Sequence, residues 1–483
     1  MLSSATRRIN DFFHTKSRDA SKNRIVLVTA PSSYSPIIFR PLSTHFRTTF
    51  KLTTPIIENP QIPLGPAYIA ACLEQAGYDV RIVDLTFTIQ RKLDIRKAER
   101  AIFDLEPKMV GISSFTSTIP TAFKLATAIK EEDKDVLVAI GGPHVSALPR
   151  RTLKECPDID LAVIGEGEHV LREFLDSLHS KVLNSEMIDI RGIMFRHNGK
   201  ILGSPVPAYV EDLDLLPLPA RHLFNMNEYV KYSYYSGGKN HPVASMITSR
   251  GCVHSCLFCS RSNSGNRFRS RSPENIISEI EQLKKYGFKE IQFVDDDFAS
   301  DRKRVLEICR LIKERKIDMT FCLVGGARVD SVDRELLSAM YNAGFYSIYF
   351  GAESGDDAVL KAVRKGITVE QIRKAVQMAK EIGYQVTMYV IVGLPNSTVE
   401  SEKKTLQLTR ELKVIARASV CTPYPGSPLW NMFEESLQGV SWERYNESDI
   451  TNSIYLSSCL TNDKLQVWMN EVESRSEGEK EIF

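Results

Sequence analysis

The chain has 483 residues, of which 43% are hydrophobic and 25% charged, the proportions of an ordinary globular protein with room for two domains. Its 62 basic residues nearly balance 60 acidic ones, which excludes attraction to nucleic acid through bulk charge. No apolar run reaches the ~18 residues of a membrane span. The start of the chain lacks the apolar core of a secretory signal. Nine cysteines, mostly scattered, suit a reducing compartment, so we expect a cytoplasmic protein with no nucleic-acid partner.

Residues 1–23 are polar and mostly basic, and we predict a flexible basic tail there. Ile9, Phe12 and Phe13 form a short apolar stripe within it. A weak amphipathic anchor is the alternative, so peripheral contact with a membrane stays open.

Residues 24–180 alternate short apolar runs with amphipathic helical patterns. The runs predict buried parallel strands at 24–30, 79–84, 109–113, 136–140 and 161–164. This alternation predicts an α/β domain with a doubly wound, flavodoxin- or Rossmann-like sheet. Small residues follow several of these strands, where ligands of such sheets bind. From 181 to 242 we predict a hairpin turning at Asn198-Gly199 and then a linker rich in proline and glycine.

The alternation restarts at 243 and gives six further strand–helix units. Strands are predicted at 244–249, 290–294, 320–324, 346–350, 385–392 and 416–421. Eight such units close a TIM barrel, so six predict a partial (β/α)6 TIM-type barrel over 243–435. Residues 436–483 are predicted to form a C-terminal extension, in which we find no motif.

Three cysteines directly after the first of these strands, Cys252, Cys256 and Cys259, have the spacing C-x3-C-x2-C. Iron–sulfur clusters take thiolate ligands, usually four, and no fourth cysteine is near. Three thiolates would leave one iron open for chemistry. Three buried cysteines, or a zinc site completed by His254 or a distant cysteine, are the alternatives, and the pattern favours a [4Fe–4S] cluster.

This spacing, with Phe258 before the last cysteine, resembles the signature of the radical S-adenosylmethionine (SAM) superfamily over about 243–435. The resemblance implies that the open iron binds the methionine end of SAM. An electron from the cluster then breaks the S–C5′ bond and gives a 5′-deoxyadenosyl radical. By resemblance, Phe258 packs near the adenine, Glu353 and Ser354 contact ribose and methionine, and Gly393 belongs to an adenine-contacting motif. A bare helix-entry turn is the alternative for Gly393.

Two further residues are assigned to SAM from their chemistry. Asp296 is the middle of three adjacent carboxylates, which repel each other and call for a cationic partner such as the SAM amino or sulfonium group. A solvated acidic turn is the alternative. The Arg328 guanidinium matches the geometry of the methionine carboxylate, with a structural ion pair as the alternative.

Residues 24–180 resemble the cobalamin-binding domain of class B radical SAM proteins. The resemblance rests on the segment 62–70 and on small residues at the strand ends, and it implies bound cobalamin with contacts at Gly65, Ser113, Gly141, Gly142 and Gly165. The Asp-x-His-x-x-Gly motif of many cobalamin proteins is missing at 84–87. His144 is a candidate near the corrin, with a solvent-facing histidine as the alternative. A flavodoxin-like module with another ligand is also open.

The combined layout resembles the family of the anaerobic magnesium-protoporphyrin ester cyclase and many C-methyltransferases. It implies methyl transfer to an unactivated carbon, with an electron donor such as flavodoxin or ferredoxin. The alternative is radical C–C bond formation, oxidation or cyclisation of a large apolar substrate such as a tetrapyrrole or lipid. Methylthiolation is less favoured, because the accessory domains of methylthiolating enzymes are not recognised in this sequence. A non-enzymatic sensor is disfavoured by the intact cysteine triplet.

Overall fold

The computed structural model describes residues 24–29, 61–86, 94–179, 190–233 and 238–445. These residues form two compact units. The N-terminal unit comprises the described residues up to Glu211 together with 215–233 and Ser262–Ser264. The C-terminal unit comprises Asp212–Asp214, 238–261 and 265–445. The predicted basic tail, the loop after the first strand and most of the predicted C-terminal extension lie outside the described residues.

The N-terminal unit is built on one seven-stranded sheet. Its strands are β1 (Ile25–Thr29), β2 (Val80–Val83), β3 (Met109–Ser113), β4 (Leu137–Gly141), β5 (Leu161–Val163), β6 (Ile193–His197) and β7 (Lys200–Gly203). The order is β2-β1-β3-β4-β5-β6-β7, with the first five strands parallel. The doubly wound sheet is therefore confirmed. The predicted hairpin, β6 and β7, adds two antiparallel strands to its edge.

Helices cover this sheet. They are α1 (Leu64–Gln75), α2 (Ile95–Phe103), α3 (Ile119–Glu132), α4 (Pro143–Ala147), α5 (Pro149–Glu155), α6 (Gly167–His179) and α7 (Met226–Tyr232). The central strands are mostly apolar because their buried faces meet helices, as where Leu27 and Leu137 share a core with Phe174 of α6. Part of the predicted linker packs here as α7, whose Tyr229 hydroxyl donates to Asp84 at 2.6 Å.

The C-terminal unit holds a second parallel sheet. Its strands are β8 (Val243–Met246), β9 (Ser249–Arg250), β10 (Arg269–Ser270), β11 (Glu290–Phe293), β12 (Thr320–Ala327), β13 (Phe345–Glu353), β14 (Gln385–Val392) and β15 (Ile415–Val420). Six of them pair in the order β15-β14-β13-β12-β11-β8, all parallel. The partial six-stranded barrel is confirmed, and no pairing between described strands joins β15 to β8. The antiparallel pair β9–β10 was not predicted.

The helices of this unit begin at capping side chains and pack on one face of the sheet. They are α8 (Pro273–Lys285), α9 (Arg302–Glu314), α10 (Arg334–Asn342), α11 (Asp357–Ala362), α12 (Val369–Ile382), α13 (Val399–Leu412) and α14 (Pro428–Phe433). Ser272 caps α8, accepting a hydrogen bond from the Asn275 N–H. Beyond α14, Trp442 and Tyr445 pack on Trp430, with ring centroids 5.9 and 5.8 Å away. Within the described ranges, no helix has the length and hydropathy needed to cross a lipid bilayer.

Candidate functional site

The three cysteines lie on the loop that joins β9 to β10. The antiparallel pairing of these short strands holds the two ends of the loop together. At its start, Gly251 has φ 83° and donates its N–H to Asp296 Oδ2 at 3.0 Å. In its middle, Leu257 donates its N–H to the Val363 carbonyl at 3.0 Å, and its own carbonyl accepts from Leu429 at 2.8 Å. The loop is thus tied to the segments that follow β13 and β15.

Burial disfavours the thiolate form of two cysteines of this loop, Cys252 and Cys259. Burial raises the pKa of Cys252, and it raises the pKa of Cys259 to about 12, with Cys256 adding to both shifts. All eight described cysteines are free thiols. Among described residues, no group of three His, Cys, Asp or Glu side chains could hold a metal ion as arranged. A cluster spreads its thiolates over different irons, and metal binding itself displaces thiol protons.

The three adjacent aspartates after β11 have three different environments. Asp295 is buried and accepts hydrogen bonds from the Thr248 N–H and hydroxyl, at 3.0 and 2.6 Å, and from the Ser249 hydroxyl at 2.5 Å. Asp296, the residue selected from the sequence, is exposed and holds the start of the cysteine loop. The solvated-turn alternative therefore fits Asp296 but not its neighbours.

Asp297 is the carboxylate of this run that needs a partner. It is buried, and neither of its oxygens has a hydrogen-bond partner. The nearest cation-forming group is His254 of the cysteine loop, with Nε2 3.9 Å from Oδ2. Burial raises the pKa of Asp297 to about 6, while the charge of Arg328 and the Ser300 side chain lower it. A cation delivered by a ligand would satisfy this carboxylate, since a buried charge without a partner is costly.

Arg328 is already engaged within the protein. Its Nε and Nη2 donate to the two carboxylate oxygens of Asp330, both at 2.9 Å, and Nη1 donates to the Lys365 carbonyl at 3.0 Å. The structural ion pair, which the sequence left open as the alternative, is present. Asp330 occupies the bidentate face of this guanidinium, and the assignment of Arg328 to the methionine carboxylate stays a prediction.

Glu353 ends β13 in a strained, buried position. Its φ of 63° lies in the left-handed region, which is uncommon for a residue with a side chain and is found at functional sites. Its carboxylate accepts from Lys365 Nζ at 2.6 Å, with both side chains under 10% exposed. The pair packs over Gly351, where an added Cβ would meet both charged groups. Ser354 is also occupied, since its hydroxyl accepts from the Asp356 N–H at 3.2 Å.

Phe258 and the segment after β14 come together, as the resemblance implies. Phe258 packs against an apolar group formed by Val359, Val363, Leu394, Cys421 and Leu429. The residue before Leu394 is Gly393, which has φ 80° and donates its N–H to Glu402 at 3.0 Å. The turn therefore serves as the entry to α13, and it also places Leu394 beside Phe258.

The small residues predicted to contact cobalamin lie mostly at the ends of neighbouring strands of the N-terminal unit. Two of them, Gly142 and Gly165, are required by close packing within the protein. Ser113 and Gly141 are paired in register at the ends of β3 and β4. A Cβ on Gly142, at φ 109°, would meet the Ser114 carbonyl oxygen at 2.3 Å, and one on Gly165, at φ 82°, would meet that of Ala208 at 2.5 Å. These glycines allow two backbone segments to approach each other.

Gly65 and His144 differ from these positions. Gly65 is exposed in the first turn of α1, and a Cβ added there would meet no atom within 4 Å. His144 is only 1% exposed, and its Nδ1 is 3.3 Å from the Thr116 hydroxyl. Burial lowers its pKa to about 3, so the ring is neutral. The alternative of a solvent-facing histidine is therefore wrong.

Sequence reasoning missed Asp297 and Lys365. The carboxylate run was visible in the sequence, but which member is buried depends on the turn after β11. Lys365 carried no signal, because it lies twelve residues beyond Glu353 and is brought to it by the chain after α11.

Comparison with known proteins links both units to described families. The sequence profile of the Radical SAM superfamily matches residues 246–409, and that of the B12 binding domain matches 56–175. An uncharacterised methyltransferase of Pyrococcus horikoshii is 33% identical over 392 residues, which cover 80% of this chain and 82% of the relative. An anaerobic magnesium-protoporphyrin IX monomethyl ester cyclase of Rubrivivax gelatinosus is 29% identical, covering 80% and 68%.

The fold is also found among solved structures. The radical SAM methyltransferase TsrM of Kitasatospora setae, with cobalamin and a [4Fe–4S] cluster bound, superposes with a TM-score of 0.69 at 16% identity. The match covers 94% of this chain and 89% of TsrM. At this identity the likeness concerns the arrangement of the fold.

The described residues suit the cofactors that these families imply. Three free thiols on one anchored loop are the donor set for an iron–sulfur cluster, and Asp297 supplies buried oxygens for a cationic ligand beside that loop. In the N-terminal unit, the strand order 2-1-3-4-5 puts a topological switch point between β1 and β3. Such crevices bind cofactors at the carboxyl ends of the strands, where Ser113 and Gly141 lie.

Proposed function

Because the chain belongs to the class B radical SAM family, whose members join a cobalamin-binding domain to a radical SAM domain, we propose that it transfers a methyl group to an unactivated carbon of a small molecule. It is an enzyme that uses a [4Fe–4S] cluster, SAM and cobalamin. The observation that carries the proposal is one chain holding both a B12-binding unit and an anchored C-x3-C-x2-C loop. The methyltransferase among its relatives supports methyl transfer.

The bound cofactors supply a carbon-centred radical from SAM and a methyl group that can be transferred. The protein's part is to hold and orient them. We assign Cys252, Cys256 and Cys259 to the cluster, which leaves one iron position for SAM. Asp297 accepts from the cationic part of SAM, because its buried oxygens have no protein hydrogen-bond partner. Phe258, packed with Leu394, offers an apolar surface for the adenine.

Glu353 has the role of orienting SAM. Lys365 Nζ donates to its carboxylate at 2.6 Å while Gly351 leaves room for the pair. A carboxylate held in this way accepts hydrogen bonds from hydroxyl or amino groups of a ligand. Its left-handed backbone fixes the direction of the side chain at the end of β13.

The first experiment tests SAM cleavage. The protein is reconstituted anaerobically with iron and sulfide, and 5′-deoxyadenosine is measured after addition of SAM and reductant. We expect about four irons and a brown colour, since a zinc site would be colourless. Cys256→Ala should abolish 5′-deoxyadenosine. Cys309→Ala, a buried cysteine on α9, is the matched control and should keep it. Equal product from both variants would refute the assignment.

Cyclisation or oxidation without methyl transfer is the second candidate, favoured by the similarity to the magnesium-protoporphyrin ester cyclase. The two reactions leave different products of SAM. Methyl transfer yields S-adenosylhomocysteine as well as 5′-deoxyadenosine, whereas cyclisation yields 5′-deoxyadenosine alone. The assay is run with hydroxocobalamin and with extracts of a strain lacking the gene, in which the substrate accumulates. Undetectable binding of hydroxocobalamin would refute methyl transfer and leave SAM cleavage standing.

The electron for SAM cleavage comes, in this proposal, from a flavodoxin or ferredoxin. Replacing the chemical reductant by a reduced flavodoxin tests this directly through the yield of 5′-deoxyadenosine. The substrate is a small molecule, and a lipid-like substrate or a peripheral membrane contact of residues 1–23 stays a prediction. Vesicle co-sedimentation with and without those residues would test the contact.

A further inference from the structure

The inner face of the six-stranded sheet carries a distinct set of side chains. In β14, Val386, Met388 and Val390 are buried on the face that packs against the helices. Successive residues of a strand point to opposite faces, so Thr387 and Tyr389 face the inside of the partial barrel. In β15, Arg417 pairs in register with Tyr389 and shares this inner face.

Two tyrosines form an aromatic surface beside Arg417. The rings of Tyr349 and Tyr389 have centroids 5.4 Å apart and an angle of 40° between their planes. The Tyr389 hydroxyl donates to the Val324 carbonyl at 2.7 Å. Burial raises the pKa of Tyr349, while the charge of Arg417 and hydrogen bonds from the Arg417 and Thr387 side chains lower it. Arg417 therefore lies close to the Tyr349 phenol, which stays neutral and able to donate.

Arg417 has no carboxylate to neutralise it within the described part of the chain. Glu353, which faces the same interior, is paired with Lys365 at 2.6 Å. Glu290, at the opposite ends of the strands, accepts from the Lys239 N–H at 3.0 Å and from the Tyr346 hydroxyl at 3.0 Å. The Arg417 side chain is exposed.

Two other arginines of this unit have structural roles, since they are buried and paired with a carboxylate. Arg328 is buried and holds Asp330 with two hydrogen bonds. Arg271 is buried and paired with Glu279. Arg417 has neither burial nor an acidic partner among the described residues, yet it projects from the interior of a barrel. An exposed guanidinium beside neutral phenols, without a carboxylate partner, can bind carboxylate or phosphate groups.

We propose that Arg417 binds an anionic group of the substrate, a carboxylate or a phosphate-type oxyanion, with Tyr349 as a further donor. This inference rests on the proposed function, since it names the substrate class for the same barrel. Arg417 is four residues before Cys421, which packs beside Phe258, so about 13 Å of strand separates it from that end of the barrel. The site is therefore distinct from the cysteine-loop end of the barrel, to which SAM is assigned.

The test measures anion binding without turnover. The reconstituted holoenzyme is saturated with SAM in the absence of reductant, which fills the methionine site and prevents cleavage. Propionate and methylphosphonate are then titrated and followed by ligand-observed NMR. We expect saturable binding of at least one probe, and the preferred probe distinguishes a carboxylate from a phosphate-type group. Arg417→Gln should weaken it roughly 10- to 100-fold, because a charge-assisted hydrogen bond is lost.

The controls separate charge, folding and the parent proposal. Arg417→Lys should keep part of the affinity, because the charge stays while the bidentate geometry goes. Arg310→Gln removes an exposed arginine on the outer helix α9, paired with Glu307, and should bind as the wild type does. Thermal unfolding verifies that each variant is folded. Equal affinity of Arg417→Gln and wild type, or no saturable binding to wild type, would overturn the inference. Failure of SAM itself to bind would instead count against the proposed function.

Discussion

Removing Lys365 should destabilise the end of β13 strongly, because it leaves the Glu353 carboxylate buried without its partner. The two groups are 2.6 Å apart and both side chains are under 10% exposed. Breaking a buried ion pair by removing one member costs about 3–5 kcal/mol, since the remaining charge keeps its desolvation cost and loses its attraction. We therefore expect Lys365→Met to lower the local free energy of opening by about 3 kcal/mol or more.

The measurement is native-state hydrogen exchange of peptides from β13 and α11. A loss of about 3 kcal/mol corresponds to exchange faster by a factor of roughly 100. The double variant Glu353→Gln/Lys365→Met removes both charges and should recover most of the protection, because replacing both members of such a pair is close to neutral. Arg310→Met breaks an exposed pair on α9 and should leave exchange at the wild-type rate.

Two results would contradict this account. One is wild-type protection in Lys365→Met, which would mean that the carboxylate finds water or another partner at no cost. The other is a double variant as weak as the single one, which would assign the loss to packing of the lysine stem. SAM affinity gives a second readout. If Glu353 orients SAM, the double variant should be folded and still bind SAM more weakly than the wild type.

Asp297→Asn should weaken SAM binding, measured by equilibrium dialysis, with little loss of stability. Asp295→Asn should instead lower the unfolding free energy by about 1–3 kcal/mol, because Asp295 accepts three hydrogen bonds from the β8–β9 junction. The opposite result for the two variants would mean that their roles are exchanged. Burial lowers the pKa of His144 to about 3, while an unfolded histidine titrates near 6.5. Below about pH 6.5 the histidine therefore binds a proton in the unfolded state but not in the folded state, and the unfolding free energy falls by about 2 kcal/mol at pH 5. Urea titrations at several pH values should show this decrease in the wild type and not in His144→Gln. Gly142→Ala should be among the most damaging glycine substitutions, about 3 kcal/mol or more by thermal unfolding, since φ is 109° and the new Cβ meets the Ser114 carbonyl oxygen at 2.3 Å. Gly199→Ala, at φ 75° in open space, should cost only about 1 kcal/mol.

The sequence by itself determined the architecture and the cysteine chemistry. Hydrophobic periodicity located the five parallel strands of the first sheet and the six of the second, because buried parallel strands are apolar throughout and contrast with their helices. The C-x3-C-x2-C spacing indicated a cluster because local spacing fixes which thiols one loop can present. The Ser272 cap of α8 is local in the same way, since capping is a contact between near neighbours in the chain.

Only the tertiary structure decided which polar side chains have hydrogen-bond or charge partners and which do not. Asp295, Asp296 and Asp297 are identical in the sequence pattern, yet one is hydrogen-bonded, one exposed and one buried without a hydrogen-bond partner. Arg328 follows β12 and Arg417 lies within β15, and only the packing shows that the first is engaged by Asp330 while the second is exposed without an acidic partner among the described residues. The reason is physical: a charge acquires its role from burial and from partners distant in the chain, and neither is encoded in local periodicity.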